Sequence, residues 1–188
     1  MPGHLSLAET AQQLQNAAEQ LAGYCTALSN EAFFWQPAGK WSAAQQVKHL
    51  VTATKTAQYA FVLPKFIVRL AGGKPNRPSR PFDELAVNYQ LKLARGGKAS
   101  RRYVPKPVAA GYGKERLIRE FRTAMHRLIS ALQERWQEHQ ADAYIVPHPL
   151  LGKITLRELC YFTIFHTHHH LHSIAALTGP LSPGSAAV

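Results

Sequence analysis

The segment that most restricts how this chain can fold is its last long apolar run, LRELCYFTIFHTHHHLHSIAAL, which starts at Leu156 and carries His166, His168, His169, His170 and His172. The run is internal, interrupted by Thr167 and Leu171 and flanked by apolar residues, so it is no remnant of an affinity tag. Thr155 followed by Glu158 forms a capping-box pattern and Gly179-Pro180 a stop, which predicts one helix over about 156 to 177. On a wheel of roughly 100° per residue, His166 and His170 fall about 40° apart, in the middle of a stripe made by Leu156, Leu159, Thr163, Ile174 and Leu177. His168 and His172 fall on the opposite face beside Arg157 and Tyr161, and His169 falls on the flank. The pattern selects His166 and His170 as the inward pair.

Side chains four apart on a helix are neighbours, so two inward imidazoles one turn apart can share a divalent ion. A lone inward histidine is more often a core packing residue, and that alternative stands for each ring taken singly. A third donor has to come from another element. Ser42 with Gln45 gives a second capping-box pattern, opening a helix from Ala43 to at least Leu63 that Pro64 should end or kink. On its wheel His49 shares a face with Gln46, Ala53, Ala57 and Ala60, while Lys48 and Lys55 face away. Small neighbours leave room around His49, which makes it the third candidate ligand.

Two further helices follow from periodicity. Leu7, Ala11, Leu14, Ala18, Leu21 and Cys25 mark a first amphipathic helix over about 5 to 29, and Leu117, Phe121, Met125, Leu128, Leu132 and Trp136 mark another over about 114 to 139. Between the first two helices, NEAFFWQPAGKWS reads as a loop whose Phe33, Phe34, Trp35 and Trp41 plug one end of the helical core. Residues 65–106 hold Lys65, Arg69, Lys74, Arg77, Arg80, Lys92, Arg95, Lys98, Arg101, Arg102 and Lys106 against Asp83 and Glu84, half of the chain's 22 basic residues. Pro75, Pro78, Pro81, Gly96-Gly97, Pro105 and Pro107 exclude long helices there, which predicts a basic crossover with one short helix at FDELAVNYQLKLA. ADAYIVPHPLLGKIT reads as a turn or short extended segment, and the tail 180–188 as disordered.

The 188 residues suit one domain, here residues 1–179, with a radius of gyration of roughly 16 Å. No apolar run is long enough for a membrane span and no secretory leader is visible, so a cytoplasmic protein with no membrane partner is expected. Cys25 and Cys160 lie in apolar helical patterns and read as packing residues; no cationic neighbour in register would activate Cys160. The net charge of +11 implies attraction to anions.

KWSAAQQVKHL at the second helix and HPLLGKITLREL with HTHHHLHSI at the last resemble the DinB/YfiT-like superfamily of metalloenzymes. The resemblance rests on Trp41-Ser42, His49 and the HxxxH of His166 and His170, and spans about residues 6 to 178. It implies an all-α fold, a four-helix bundle with a long crossover between its second and third helices, and a divalent metal held by His49, His166 and His170. Characterised members transfer or isomerise with low-molecular-weight thiols; despite the family's name, no DNA polymerase activity is implied. The basic crossover departs from the family pattern.

Three neutral imidazoles leave a divalent ion its full charge and an open position, the composition of a catalytic site. Zinc or nickel is expected, with iron or manganese as alternatives, and both thiol transfer and hydrolysis are open to a small anionic or thiol substrate. His148, in the loop entering the last helix, is a candidate acid or base at the pocket edge, the alternative being an exposed loop histidine; His126 reads as a surface residue. A second function class is a nucleic-acid or anionic-surface binding module built on residues 65–106, although that segment matches no known nucleic-acid motif. Val51, Phe61, Val62 and Ile164 read as apolar residues on outer faces and suggest a homodimer, unless the crossover covers them. The wheel makes a direct prediction: His166→Ala abolishes metal retention and His168→Ala does not, as measured by metal content of the purified variants. Equal content in both would overturn the inward assignment.

Overall fold

The computed structural model describes residues 4–98 and 100–179. In chain order the helices are α1 (Leu7–Ala27), α2 (Asn30–Phe34), α3 (Ala43–Val62), α4 (Lys65–Gly72), α5 (Phe82–Ala94), α6 (Lys114–Arg135), α7 (Glu138–Ala143) and α8 (Leu156–Thr178). Strands β1 (Ile145–His148) and β2 (Gly152–Thr155) pair as an antiparallel hairpin just before α8, with Ile145 opposite Thr155 and His148 opposite Gly152. The architecture is all-α apart from this hairpin. The disorder expected of 180–188 lies outside the described residues.

Side-chain caps set where three of the long helices begin. Ser6 with Glu9, Ser42 with Gln45 and Thr155 with Glu158 each form a reciprocal capping box, which satisfies two backbone donors that a helix start leaves open. α3 packs on α6, α6 on α1, α1 on α8 and α8 on α3. Their shared core holds Leu14, Leu21, Leu50, Phe121, Leu128 and Leu132, all essentially without solvent exposure.

Four sequence expectations change. The loop after α1 contains the short helix α2, capped by the Ser29 hydroxyl accepting from the Ala32 N–H. The helix expected to reach about residue 139 ends at Arg135. Trp136 leaves helical geometry there (φ −124°, ψ 141°), and its indole N–H donates to the Phe61 carbonyl at 2.9 Å, so the ring is buried by turning back on α3. The crossover has a second helix, α4, beyond the expected α5. Gly72, at the end of α4, lies against β1 so closely that a Cβ there would collide with the Ile145 carbonyl. Finally, Val51, Phe61 and Ile164 are core residues and Val62 is partly buried, which removes the apolar surface from which a homodimer was inferred.

Part of the crossover's charge is turned onto the protein itself, although Lys74, Lys92, Arg95, Lys98, Arg101, Arg102 and Lys106 are exposed. Arg77 donates to both oxygens of Glu158 at 2.7 and 2.9 Å, and Arg80 donates to Oε1 through its backbone N–H and its Nε, each at 2.8 Å. Arg69 lies over the Tyr144 ring and donates to the Ala143 carbonyl, and Lys65 donates to Gln140. Arg157 and Tyr161, expected on the outer face of α8, are buried as well. Arg157 donates to Asp142, Glu138 and the Leu5 carbonyl, and the Tyr161 hydroxyl accepts from the Leu5 N–H. The first half of α8 is thus enclosed on every side, by α7, the N-terminal segment and the crossover.

Glu158 joins these parts. Its carboxylate has no solvent exposure; burial opposes ionisation, but the Arg77 and Arg80 hydrogen bonds and the Arg80 and Thr155 backbone N–H groups outweigh it and hold the acid at about 2. An acid depressed in the folded state contributes stability that is present above its unfolded value and lost as pH falls through the folded one. We expect Glu158 to stabilise by about 3 kcal/mol at neutral pH and to lose that contribution between about pH 4.5 and 2. Urea unfolding of wild type and Glu158→Gln across this range checks it: the variant starts less stable and has the flatter profile.

Candidate metal centre

Residues from two helices meet at the inner end of the crossover. His49 on α3 and His166 and His170 on α8 are buried, with 5%, 5% and 7% of their surface exposed, whereas His172 is exposed and His168 half-buried. The Nε2 of His166 lies 3.1 Å from the Nε2 of His49 and 3.1 Å from the Nε2 of His170. One nitrogen from each ring lies within 4.8 Å of the others, a group that could hold a metal ion.

The other nitrogens say which protons are present. The Nδ1 of His49 lies 2.7 Å from the Tyr103 carbonyl oxygen, which only accepts, so Nδ1 carries the proton and Nε2 the lone pair. The Nδ1 of His170 donates likewise to Gln46 Oε1 at 2.9 Å; the Gln46 amide is oriented by donating its own N–H to the Trp41 carbonyl at 3.4 Å. A proton on His166 Nε2 could serve only one of its two contacts. Burial keeps all three rings below the ordinary histidine pKa. For His49 the Tyr103 carbonyl opposes this and His169 adds to it; for His166 and His170 the neighbouring histidines push further in the same direction. Two neutral rings that turn their Nε2 lone pairs toward a third buried imidazole are suited to a cation. The donor chemistry fits, and the two 3.1 Å separations are close to the roughly 3.3 Å that metal–nitrogen bonds of about 2.0–2.1 Å at tetrahedral angles require.

The DinB superfamily model matches residues 13–174, most of the chain. The chain belongs to the DinB superfamily. No curated protein matches it. DinB membership and the three-histidine group together are compatible with a metal-binding protein.

The group lies on the floor of a cavity of about 390 Å³ between α3, α4, α5, α8 and the hairpin. Trp41, read from sequence as an end plug, lines this cavity instead. Its ring stacks on His170 at 6.5 Å and an 8° interplanar angle and lies 5.2 Å from His49. Phe33 is the buried plug and Trp35 is exposed. His148 also lines the cavity, packed edge-on against Phe162 at 4.2 Å. Burial lowers its pKa to about 4, and its Nδ1 accepts from the Leu150 and Leu151 N–H groups at 3.3 and 3.1 Å. At neutral pH its ring is therefore uncharged with the proton on Nε2, a hydrogen-bond donor and not a base. His126 is exposed, away from the cavity. Cys25 and Cys160 are unpaired and buried, and burial pushes both thiols up to about 12, which suits packing.

Sequence reasoning missed Tyr89 and His169 on the cavity wall, as well as the roles of Gln46 and the Tyr103 carbonyl. Gln46 had a signal, since it sits one turn before His49 on the same face. Tyr103 had none, because it acts through a backbone oxygen in a segment without periodicity. Partners that orient a ligating imidazole are worth about ten- to a hundredfold in metal affinity. We expect Gln46→Leu, which leaves the His170 Nδ1–H without its acceptor, to weaken metal binding by that factor in chelator competition; an unchanged affinity would remove Gln46 from the site.

Proposed function

We propose that this DinB protein is a metal-dependent enzyme in which His49, His166 and His170 ligate one divalent ion at the closed end of a four-helix bundle with a long crossover between its second and third long helices. The observation that carries the reading is the convergence of three buried Nε2 atoms, two of them deprotonated by the hydrogen bonds their Nδ1 atoms make. An all-nitrogen, neutral set suits zinc or nickel, and also iron. When bound, such an ion supplies an acidified water or a thiol held as thiolate, which makes hydrolysis and thiol transfer the candidate reactions.

The chain's own residues narrow what the site can do. Trp41, Tyr89 and Phe162 wall the histidines from bulk water. His148 presents an N–H to whatever lies against it, and so can hydrogen-bond an oxygen that gains negative charge. Among the described residues no Asp or Glu lines the cavity, so a carboxylate base is not part of the proposal. Phosphate binding by residues 65–106 is a weaker reading, because Lys65, Arg69, Arg77 and Arg80 hold the protein's own groups.

Elemental analysis of untagged protein purified without added metal tests the reading. About one equivalent of a transition metal per chain is expected in wild type and its loss in His49→Ala. Wild-type protein that stays metal-free after reconstitution would exclude the enzyme assignment.

A further inference from the structure

We propose that the cavity above the three histidines binds an amphipathic monoanion, a molecule with an apolar body and one carboxylate-like head, with the body along α3 and the head at Lys98. The inference deepens the enzyme reading, on which it rests for the reaction but not for the binding.

The cavity combines a buried histidine group with an exposed edge at Lys98 and Ser100. Most of its remaining lining is apolar. Ala53, Ala57 and Ala60 fall on successive turns of α3, and their short side chains open a channel against Leu93, Leu150 and Phe162. The size of about 390 Å³ falls within the range of small-molecule sites.

The charge inventory selects the head group. Of the crossover's eleven Lys and Arg residues only Lys98 lines the cavity, and no Asp or Glu does among the described residues. Lys98 makes no ion pair with a described residue, unlike Arg77 and Arg80 on the same crossover. A molecule charged along its length would leave its charges desolvated on alanine and leucine walls. A wholly apolar one would leave the lysine unused. An apolar body ending in a single anion matches both parts, with Ser100 offering a further hydroxyl to the cavity.

The test is calorimetric titration of metal-free, full-length protein with straight-chain carboxylates from butanoate to decanoate, alongside decyltrimethylammonium. Each added methylene is expected to tighten binding about three- to fourfold until the cavity is full. Lys98→Ala is expected to weaken the carboxylates about two- to fivefold, the range of an exposed ion pair. Ala60→Phe, at a partly exposed position, is expected to abolish binding of the longer members while leaving thermal unfolding unchanged; Ala57→Phe repeats the test one turn deeper. Affinity independent of chain length, equal binding of the ammonium, or full binding by folded Ala60→Phe and Ala57→Phe would each overturn the proposal. Because binding is read without metal, the two readings fail separately. Carboxylate binding by a protein that takes up no metal keeps the cavity and removes the enzyme, and metal uptake without carboxylate binding does the reverse.

Discussion

Three buried imidazoles whose Nε2 atoms converge, two of them unprotonated, form an arrangement that a chain does not adopt by default. Each ring would gain by turning toward water or by sharing a proton with its neighbour. Here the far nitrogens of His49 and His170 are committed to oxygens that only accept, one on the backbone of the crossover and one on α3. The Phe162 ring stacked on His166 and the i,i+4 spacing on α8 orient the His166 ring. The packing of α3 on α8 therefore fixes the positions of the three nitrogens, and the two Nδ1 hydrogen bonds fix the protonation of His49 and His170.

That packing depends in turn on how α8 starts. Glu158 closes the capping box with Thr155 and receives Arg77 and Arg80 from the crossover, while one residue earlier Arg157 draws in α7 and the N-terminal segment. Two adjacent residues of opposite charge thus attach most of the non-bundle chain to the first turn of the helix that carries the histidines. In each case a buried charge meets partners that are partly exposed, so removing the partners would leave Glu158 or Arg157 buried without compensation. The crossover can then reach the site from above and deliver Tyr103 to His49.

How much of this could be read beforehand depends on the range of each interaction. Ser42–Gln45 and Thr155–Glu158 are local, and both helix starts were legible to the residue. The inward placement of His166, His170 and His49 follows from periodicity, which is also local. The failures share a different cause. Trp136 breaks a well-formed helical pattern to reach Phe61, a residue far away in sequence, and Arg157 and Tyr161 look like outward residues until α7 and Leu5 are placed over them. Arg77 and Arg80 read as part of an anion-attracting segment because nothing near them in sequence announces Glu158 as their partner. Trp41 was visible as a loop aromatic, but its stacking on His170 needed the helix pair to be assembled first.

The distance along the chain between the histidines has a bearing on the order in which the protein is made. His49 and His166 are 117 residues apart, and His170 follows four residues later, close to the end of the described chain. During synthesis the α3 histidine is made long before the α8 residues it packs against. The full donor set comes into being only when α8 emerges and docks, and long-range closure of that kind is late in folding. A chain that stopped before α8 would contain only one of the three histidines.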